Sequence, residues 1–238
     1  MAYTWRSGVQ HSAIRVQHSA IRRTRPTHAN WLGDHWSLDV KTPQGNFNTQ
    51  LHCAGRHNVS NALAAIAAAL AVNIALEKIA QGLAQFEAVK GRSRAYVVTI
   101  ANRRVNVVDD SYNANPDSVK AAIDLLSELP KPQMLVLGDM GEVGNLGPEF
   151  HNEVGLYAQQ KNIDSVLCLG ELTTHAVQAC GTRAQHFGDI DALNLQVGQT
   201  LPKMASVLVK GSRFMKMERV LEAITKQAEQ HPQETTPC

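Results

Sequence analysis

The sequence predicts an α/β protein whose larger part is a Rossmann-like domain with a mostly parallel sheet. From residue 103 onward, short apolar strands alternate with helical stretches of ~10–15 residues, an order typical of parallel sheets. Residues 91–94, Gly-Arg-Ser-Arg, separate helical from alternating apolar periodicity and so indicate a domain boundary. Polar loops follow several strands, and ligands of open α/β sheets bind at these strand ends.

Composition limits the class of protein. The chain has 238 residues and is 44% hydrophobic, enough for one or two domains with a core. Its net charge is +2 and no basic stripe occurs past residue 30, so we expect no nucleic-acid partner. No apolar run approaches the ~18 residues of a membrane span, and no signal peptide is apparent. We therefore expect a cytoplasmic protein without a membrane segment.

Cysteine and histidine spacing predicts no metal site. The four cysteines have no C-x-x-C spacing, which excludes a zinc ribbon and suggests no disulfide framework. Free buried thiols in a reducing compartment are the expected state. His57 and His151 are not spaced as ligands with another histidine or acid, so each is expected to be a hydrogen-bonding or surface residue.

Residues 1–27 differ from the rest of the chain. The heptad Val-Gln-His-Ser-Ala-Ile-Arg at residues 9–15 is repeated without change at residues 16–22. Two heptads are too few for a coiled coil. The repeat is typical of a duplication, an expression-vector remnant or a displaced reading frame, and we expect residues 1–27 to form a poorly packed arm.

Residues 28–91 read as a hairpin followed by helices. Trp36, Leu38 and Val40 alternate with polar residues, and a Pro-Gln-Gly turn separates them from a second strand that ends by Leu51. Seven of the ten residues from 62 to 71 are alanine, which predicts a helix. A second helix is predicted over residues 76–86.

Asn58 and Asn61 stand three residues apart at the start of the alanine-rich helix. Two interpretations stay open from the residues alone. The asparagines cap the helix, or they lie beside a nucleotide or phosphate that is bound at the positive end of the helix dipole.

The elements of the larger domain alternate regularly. A hairpin over residues 95–108 is followed by helices and strands in turn. Helices are predicted at 116–129, 148–160, 172–179, 191–201 and 215–224, and strands at 134–137, 165–169, 185–187 and 206–209.

The loop after the second strand of this hairpin carries the densest polar sequence. Residues 109–113 read Asp-Asp-Ser-Tyr-Asn, and Asn115-Pro116 then forms an N-cap and first helical position. The loop either binds a ligand or only satisfies backbone groups at a capped strand–helix turn.

Two more loops are candidates for binding. Asp139 and Glu142 lie in a glycine-rich loop and are acid–base candidates or solvated carboxylates. Lys210-Gly211-Ser212-Arg213 either binds a carboxylate or phosphate or is an exposed glycine turn. There is no G-x-G-x-x-G sequence, and the dipeptide Gly-Lys is absent, so a Walker A loop is excluded.

Five motifs in this order resemble the Mur ligases. They are Gly-Arg-His-Asn-Val-Ser-Asn-Ala at 55–62, Gly-Arg at 91–92, Asp-Asp-Ser-Tyr-Asn-Ala-Asn-Pro-Asp-Ser at 109–118, Gly-Asp-Met-Gly-Glu-Val-Gly at 138–144 and Val-Lys-Gly-Ser-Arg at 209–213. The second half of this set is similar to family members that add D-alanyl-D-alanine to UDP-N-acetylmuramoyl-tripeptide in peptidoglycan synthesis.

The resemblance implies a domain organisation. Residues 28–91 resemble the C-terminal part of the family's central ATP-binding domain, and residues 92–226 resemble its Rossmann-like C-terminal domain, with a tail at 227–238. The parts that carry the phosphate loop and the Mg²⁺ ligands in the family have no counterpart in these 238 residues. The resemblance therefore implies a bacterial, cytoplasmic, ATP- and Mg²⁺-dependent amide ligase of which this chain alone is inactive.

The resemblance also implies residue roles. In the family, ATP converts the tripeptide carboxylate into an acyl phosphate, which the amine of D-alanyl-D-alanine attacks. Asn58 and Asn61 would flank adenine and ribose, and Arg92 would reach the nucleotide from the domain joint.

The remaining implied roles lie in the later motifs. Asp110 would also lie beside the nucleotide, while Tyr112 and Asn113 would lie beside the reacting groups. Lys210 and Ser212 would bind the dipeptide carboxylate.

Two alternatives remain at this point. The chain could be a non-catalytic Rossmann-like binding module that takes a small anion or a partner protein. It could also belong to another ligase of the superfamily, such as a folylpolyglutamate or cyanophycin synthetase, although the sequence at 109–115 argues against that.

Overall fold

A computed structural model describes residues 24–230 of the chain. The chain divides into two compact units, Met1–Glu87 and Ala88–Cys238. This division falls close to the domain boundary expected after residue 91. The predicted arm over residues 1–27 lies outside the described residues up to position 23, as do residues 231–238 of the predicted tail.

The first unit contains a three-stranded antiparallel sheet and two helices. Its elements are β1 (Arg25–Trp31), β2 (Trp36–Thr42), β3 (Gly45–Leu51), α1 (Arg56–Ala71) and α2 (Leu76–Ala84). The predicted hairpin is confirmed, with Trp36 paired to Leu51 and Thr42 paired to Gly45. Helix α2 packs on β3, where the Thr49 hydroxyl donates to the carbonyl oxygen of Ala80 at 2.8 Å.

Strand β1 was not expected, and the predicted arm is wrong over its last residues. The strand sequence Arg-Pro-Thr-His-Ala-Asn-Trp has neither a β-branched run nor a buried face. It forms by pairing its backbone with β2 at the sheet edge, where a proline is tolerated, and its register shifts between Pro26 and His28. Local propensity does not reveal a strand of this kind.

The buried face of β2 supplies the core of the first unit. Trp36, Leu38 and Val40 are at most 2% exposed. Ile66 and Leu70, one helical turn apart on α1, are buried to the same degree. The alternating sequence of β2 therefore encodes a one-sided sheet, as predicted.

The second unit is built on a six-stranded sheet in the order β4-β5-β9-β6-β7-β8. The strands are β4 (Arg94–Ile100), β5 (Arg103–Asp110), β6 (Gln133–Gly138), β7 (Ser165–Leu169), β8 (Ala184–Phe187) and β9 (Ser206–Lys210). Strand β4 pairs antiparallel with β5, and every other pairing in this sheet is parallel. The predicted α/β class is confirmed.

Helices cover both faces of this sheet. They are α3 (Pro116–Ser127), α4 (Gly147–Gln160), α5 (Thr173–Cys180), α6 (Ile190–Thr200) and α7 (Glu218–Glu229). Strands β6 and β9 are buried along their whole length, as expected for central strands covered on both faces. Side chains of α6 and α7, including Leu193 and Val220, share one core cluster with Val136 and Val207.

The last helix begins and ends later than predicted. The prediction placed it at residues 215–224, but a 3-10 turn occupies Arg213–Met215 and Lys216 adopts a positive φ of 51°. The chain must turn there before α7 can start at Glu218. The helix then continues to Glu229 because Ala228 packs against the core cluster.

Two composition-based expectations can be compared with the fold. Cys168 and Cys180 are free and buried, as predicted, Cys53 is buried as well, and Cys238 lies outside residues 24–230. Within that same range, no helix is long and apolar enough to cross a membrane.

Candidate functional site

The motif loops of the second unit meet at one edge of its sheet. Strand β9 lies between β5 and β6, and all three run parallel, so their carboxyl ends are adjacent. The loops that leave them carry the sequences at 110–115, 138–144 and 210–213. Sheet order thus assembles motifs that lie up to 100 residues apart in the chain.

The two aspartates at the end of β5 have different partners. Asp109 is 3% exposed, and its Oδ2 accepts a hydrogen bond from the Gly91 amide at 2.9 Å. Its Oδ1 accepts from the Ser111 hydroxyl at 2.7 Å and from the Ser111 amide. Asp109 therefore fastens the start of the second unit to the 110–115 loop and has no free oxygen edge for a ligand.

Asp110 forms an ion pair with a lysine from the neighbouring strand. The Asp110 Oδ2 lies 2.5 Å from the Lys210 ammonium, and its Oδ1 accepts from the Ser93 amide at 2.9 Å. The ammonium also donates to the carbonyl oxygen of Asn113 at 2.9 Å. The side chain of Lys210 is only 3% exposed and that of Asp110 is 17% exposed. This pair holds the 110–115 loop against β9.

Ser212 joins all three loops. Its hydroxyl accepts from the Gly141 amide at 2.5 Å and donates to the carbonyl oxygen of Ala114 at 3.2 Å. Its own amide donates to the carbonyl oxygen of Asp139 at 3.0 Å. The predicted roles of Lys210 and Ser212 toward a dipeptide carboxylate stay predictions, because both side chains are engaged within the protein here.

Tyr112, Asn113 and Arg92 lie on the open side of this edge. Tyr112 is 40% exposed, and its ring centroid lies 4.4 Å from the Arg92 guanidinium carbon and 5.6 Å from that of Arg213. Asn113 accepts from the Ala114 amide and also lines a cleft. The structure brings six predicted site residues together here: Arg92, Asp110, Tyr112, Asn113, Lys210 and Ser212.

The other two predicted site residues lie in the first unit, in the first two turns of α1. The capping interpretation of Asn58 and Asn61 is wrong, because Gly55 is the N-cap and no side chain caps this helix. Asn58 instead donates to the carbonyl oxygen of Ala54 at 2.7 Å and accepts from the Asn61 amide group at 3.1 Å. The expected nucleotide contact of these two residues stays a prediction.

A cleft of about 440 Å³ opens beside the loop edge, between the start of α3 and the loop after β6. Its lining includes the carboxylates of Asp117, Glu142 and Glu153 and the ammonium of Lys120, which pairs with Glu153 at 2.7 Å. The excess of carboxylates suits a ligand with a positively charged group. The sequence pattern singles out Glu142 but not Lys120 or Glu153. The side chains of Lys120 and Glu153 come together only because α3 packs on α4.

Asp139 is not a solvated carboxylate, and its acid–base role stays a prediction. It is 7% exposed, and its two carboxylate oxygens accept from the amides of Thr173 and Leu172 at 2.8 and 3.2 Å. The carboxylate therefore satisfies the free amides at the start of α5 and interacts favourably with the dipole of that helix.

The histidine that follows this loop predicts a pH dependence of stability. Burial lowers the pKa of His151, whose side chain is fully buried. An unfolded chain, with a histidine pKa of about 6.5, binds a proton at a pH where the folded chain does not. Above pH ~6.5 neither state of the chain protonates this histidine, and the free energy of unfolding is not affected. Below that pH the unfolded chain binds the proton more readily, so the free energy of unfolding decreases as the pH drops.

We therefore expect urea midpoints of the wild-type chain to decrease from pH ~7.5 to ~5.5, and less so for His151→Gln. Far-ultraviolet circular dichroism should follow the unfolding, because residues 88–238, which include the second unit's described part, contain no tryptophan. Equal pH dependence in the two proteins would contradict the assignment.

Comparison with known proteins gives one family. The family described as "Mur ligase, glutamate ligase domain" matches residues 91–213. Among residues 24–230, no group of three or more histidine, cysteine, aspartate or glutamate side chains is placed to hold a metal ion.

The chain is similar to UDP-N-acetylmuramoyl-tripeptide–D-alanyl-D-alanine ligases from two bacteria. The chain is 38% identical over 187 residues to UDP-N-acetylmuramoyl-tripeptide–D-alanyl-D-alanine ligase of Escherichia coli, covering 78% of this chain and 40% of that protein. It is 35% identical over 226 residues to the protein of the same name from Haemophilus influenzae, covering 92% and 48%. The chain thus spans less than half the length of these relatives.

Solved structures of similar proteins point to the same family. The crystal structure of MurF from Acinetobacter baumannii superposes with a TM-score of 0.73 at 31% identity, covering 87% of this chain and 45% of that one. MurF from Thermotoga maritima in complex with ADP gives a TM-score of 0.74 at 21% identity, with 88% and 48% coverage. At that identity, the second comparison supports the fold alone.

Proposed function

Because the chain belongs to the Mur ligase family, we propose that it forms the amine-binding side of an ATP-dependent ligase that joins D-alanyl-D-alanine to UDP-N-acetylmuramoyl-tripeptide. The two named relatives support this substrate pair. The observation that carries the proposal is the convergence of the three motif loops on one strand edge, locked by Asp110 and Lys210.

The proposed reaction forms one amide bond. The terminal carboxylate of the tripeptide takes the γ-phosphoryl group of ATP, which leaves ADP and an acyl phosphate. The amine of the dipeptide attacks the acyl carbon, loses a proton, and displaces inorganic phosphate through a tetrahedral intermediate. Holding the amine and acyl phosphate together in the correct geometry is the main contribution that a binding edge of this kind makes to the rate.

The cleft beside the loops supports the amine end of this proposal. An unreacted dipeptide carries an ammonium group, and Asp117, Glu142 and Glu153 give the cleft an excess of carboxylates. Asn113, in the 110–115 loop, is one of the residues that line the cleft. We propose that the dipeptide enters here and that Tyr112 and Asn113 contact its reacting end.

The nucleotide contacts belong to the same proposal. Arg92 carries a permanent charge that suits a phosphate, and its contact with the exposed Tyr112 ring holds it at this edge. Asp110 orders the loop through Lys210 and Ser93, so its proposed effect on nucleotide is through that loop. Asn58 and Asn61 are proposed for the adenine and ribose. We assign no Mg²⁺ ligand within residues 24–230.

A cytoplasmic location in a bacterium fits this reaction. The named relatives are bacterial proteins. ATP and a UDP-linked substrate are proposed for the reaction, and Cys168 and Cys180 are free thiols, as expected of a reducing compartment.

We further propose that the 238-residue chain alone has no ligase activity and little affinity for ATP, because it contains no Walker A sequence. The purified chain, mixed with UDP-N-acetylmuramoyl-tripeptide, D-alanyl-D-alanine, ATP and Mg²⁺, should release no phosphate above a blank. Release that depends on the dipeptide would contradict this prediction.

Calorimetry separates this proposal from a non-catalytic binding module. A half-site of the ligase should take D-alanyl-D-alanine in preference to other small anions. Saturable binding of an unrelated anion, with none of the dipeptide, would favour the binding module instead.

A further inference from the structure

The turn after β6 is fastened to three elements in three successive residues. The Asp139 carboxylate accepts the amides at the start of α5, and the Gly141 amide donates to the Ser212 hydroxyl. Between them, the Met140 amide donates to Nε2 of His151 on α4 at 3.0 Å. The next residue, Glu142, has a positive φ of 58°, which is unfavourable for a residue with a side chain. Such a turn keeps its shape only if its surroundings hold it.

The contacts of His151 define its protonation state. Its Nδ1 lies 2.7 Å from the carbonyl oxygen of Gly147, and a carbonyl oxygen only accepts, so Nδ1 carries the proton. Its Nε2 faces an amide that only donates, so Nε2 carries the lone pair. The ring is therefore the neutral Nδ1–H form, and it is fully buried.

We propose that His151 is a positioning residue: its neutral Nδ1–H form holds the turn at Met140 that shapes one wall of the acidic cleft, and its protonation releases that wall. Gly141, Glu142 and Val143, which follow the anchored amide, line the cleft directly. A proton on Nε2 would oppose the Met140 N–H donor to donor and break the contact.

Two titratable groups face the ring from the elements packed against it. Asp139, in the turn itself, has its Oδ1 3.9 Å from Nε2 and would attract a protonated ring. That attraction would compete with the hydrogen bond that the same oxygen accepts from the Thr173 amide. His175 on α5 opposes protonation when it is charged. Protonation thus disturbs two anchors of the turn together.

Amide hydrogen exchange on the full chain tests the anchor without any activity. For His151→Leu, we expect the protection factor of the Met140 amide to fall at least tenfold, while Val166 in β7 keeps its protection. His151→Gln should retain it, because the side-chain oxygen reaches the position of Nε2 and accepts the same hydrogen bond. His186→Gln is the control, since His186 is exposed on β8, contacts the carbonyl oxygen of Gly170 after β7, and does not line the cleft.

Measuring the same amide exchange as a function of pH tests the effect of protonating His151. In the wild-type chain, the Met140 protection factor should step down as His151 takes up a proton, and His151→Gln should show no such step. Long-range proton–nitrogen spectra at neutral pH should show the Nδ1–H form of His151. An Nε2–H form, unchanged Met140 protection in His151→Leu, or the same pH step in His151→Gln would each overturn the proposal. If His151→Leu does not fold, the spectra and the Gln variant still decide it.

The assignment of the cleft to an amine substrate rests on the proposed function. A titration with the dipeptide distinguishes a failure of that function from a failure of the proposed role of His151. The affinity for D-alanyl-D-alanine should fall about tenfold in His151→Leu and stay unchanged in His186→Gln. If the wild-type chain binds no dipeptide, the proposed function fails, while hydrogen exchange still decides whether His151 holds the turn.

Discussion

Asp110→Asn is expected to destabilise the second unit by about 3–5 kcal/mol, because it leaves the ammonium of Lys210 buried without its counter-ion. An amide has one oxygen, so it cannot accept from both the Ser93 amide and Lys210 as the carboxylate does. This cost is a large part of the ~5–15 kcal/mol that stabilises a typical domain. Urea unfolding followed by far-ultraviolet circular dichroism measures it.

Two further variants make this test specific. Glu153→Gln breaks the exposed pair with Lys120 and should cost less than ~1 kcal/mol. The double variant Asp110→Asn with Lys210→Met removes both charges and should recover much of the loss. Tryptophan fluorescence is not a suitable readout of this unit, because residues 88–238 contain no tryptophan. A cost for Asp110→Asn as small as that for Glu153→Gln would show that the ion pair does not hold the loop.

Gly155→Ala is expected to be the most damaging glycine substitution in the helical layer. A Cβ there would lie 2.3 Å from the carbonyl oxygen of Ala176 and 2.7 Å from its Cα, so backbone would meet side chain where α4 crosses α5. Neither backbone can rotate away, and the two helices must separate. Overpacking typically costs about 1–3 kcal/mol and occasionally more, and a clash between two helix backbones should lie at the upper end of that range. A lowered urea midpoint of the second unit is the expected measurement.

Gly198→Ala is the matched control. This glycine also lies in a helix, α6, but its nearest neighbour is the flexible side chain of Gln227 at 3.4 Å. Alanine has the higher helix propensity, so the variant should be neutral or more stable by up to about 1 kcal/mol. Similar effects of the two substitutions would mean that α4 and α5 are not in close backbone contact.

The elements that sequence predicts well here are those whose pattern is local. The alternation in β2 and the Asn115-Pro116 helix start both reappear in the structure, and Asn115 and Ser118 form a reciprocal capping box. Strand β1 and the start of α7 do not follow local pattern. Strand β1 forms because its backbone pairs with β2 at the sheet edge. Helix α7 starts late because a 3-10 turn and Lys216 precede it.

The candidate site shows the same limit. Motif order placed Asp110 and Lys210 in one site, but their ion pair joins residues 100 positions apart and depends on β9 lying beside β5. No local signal in the sequence distinguishes the roles of Asp109 and Asp110. Asp109 accepts hydrogen bonds from two backbone amides and a hydroxyl group, whereas Asp110 pairs with a lysine. His151 reads as an ordinary histidine in the sequence, because its anchor to Met140 exists only once α4 packs under the turn.

We propose that this edge of the second unit is the amine-binding side of a ligase that joins D-alanyl-D-alanine to UDP-N-acetylmuramoyl-tripeptide. The most direct test is a titration of the isotope-labelled chain with D-alanyl-D-alanine, followed by backbone amide chemical shifts, with L-alanyl-L-alanine as the control. We expect saturable shifts of the Asn113, Gly141 and Glu142 amides with the D,D dipeptide and much weaker shifts with the L,L dipeptide. Shifts that are absent, that lie elsewhere, or that are equal for both dipeptides would contradict it.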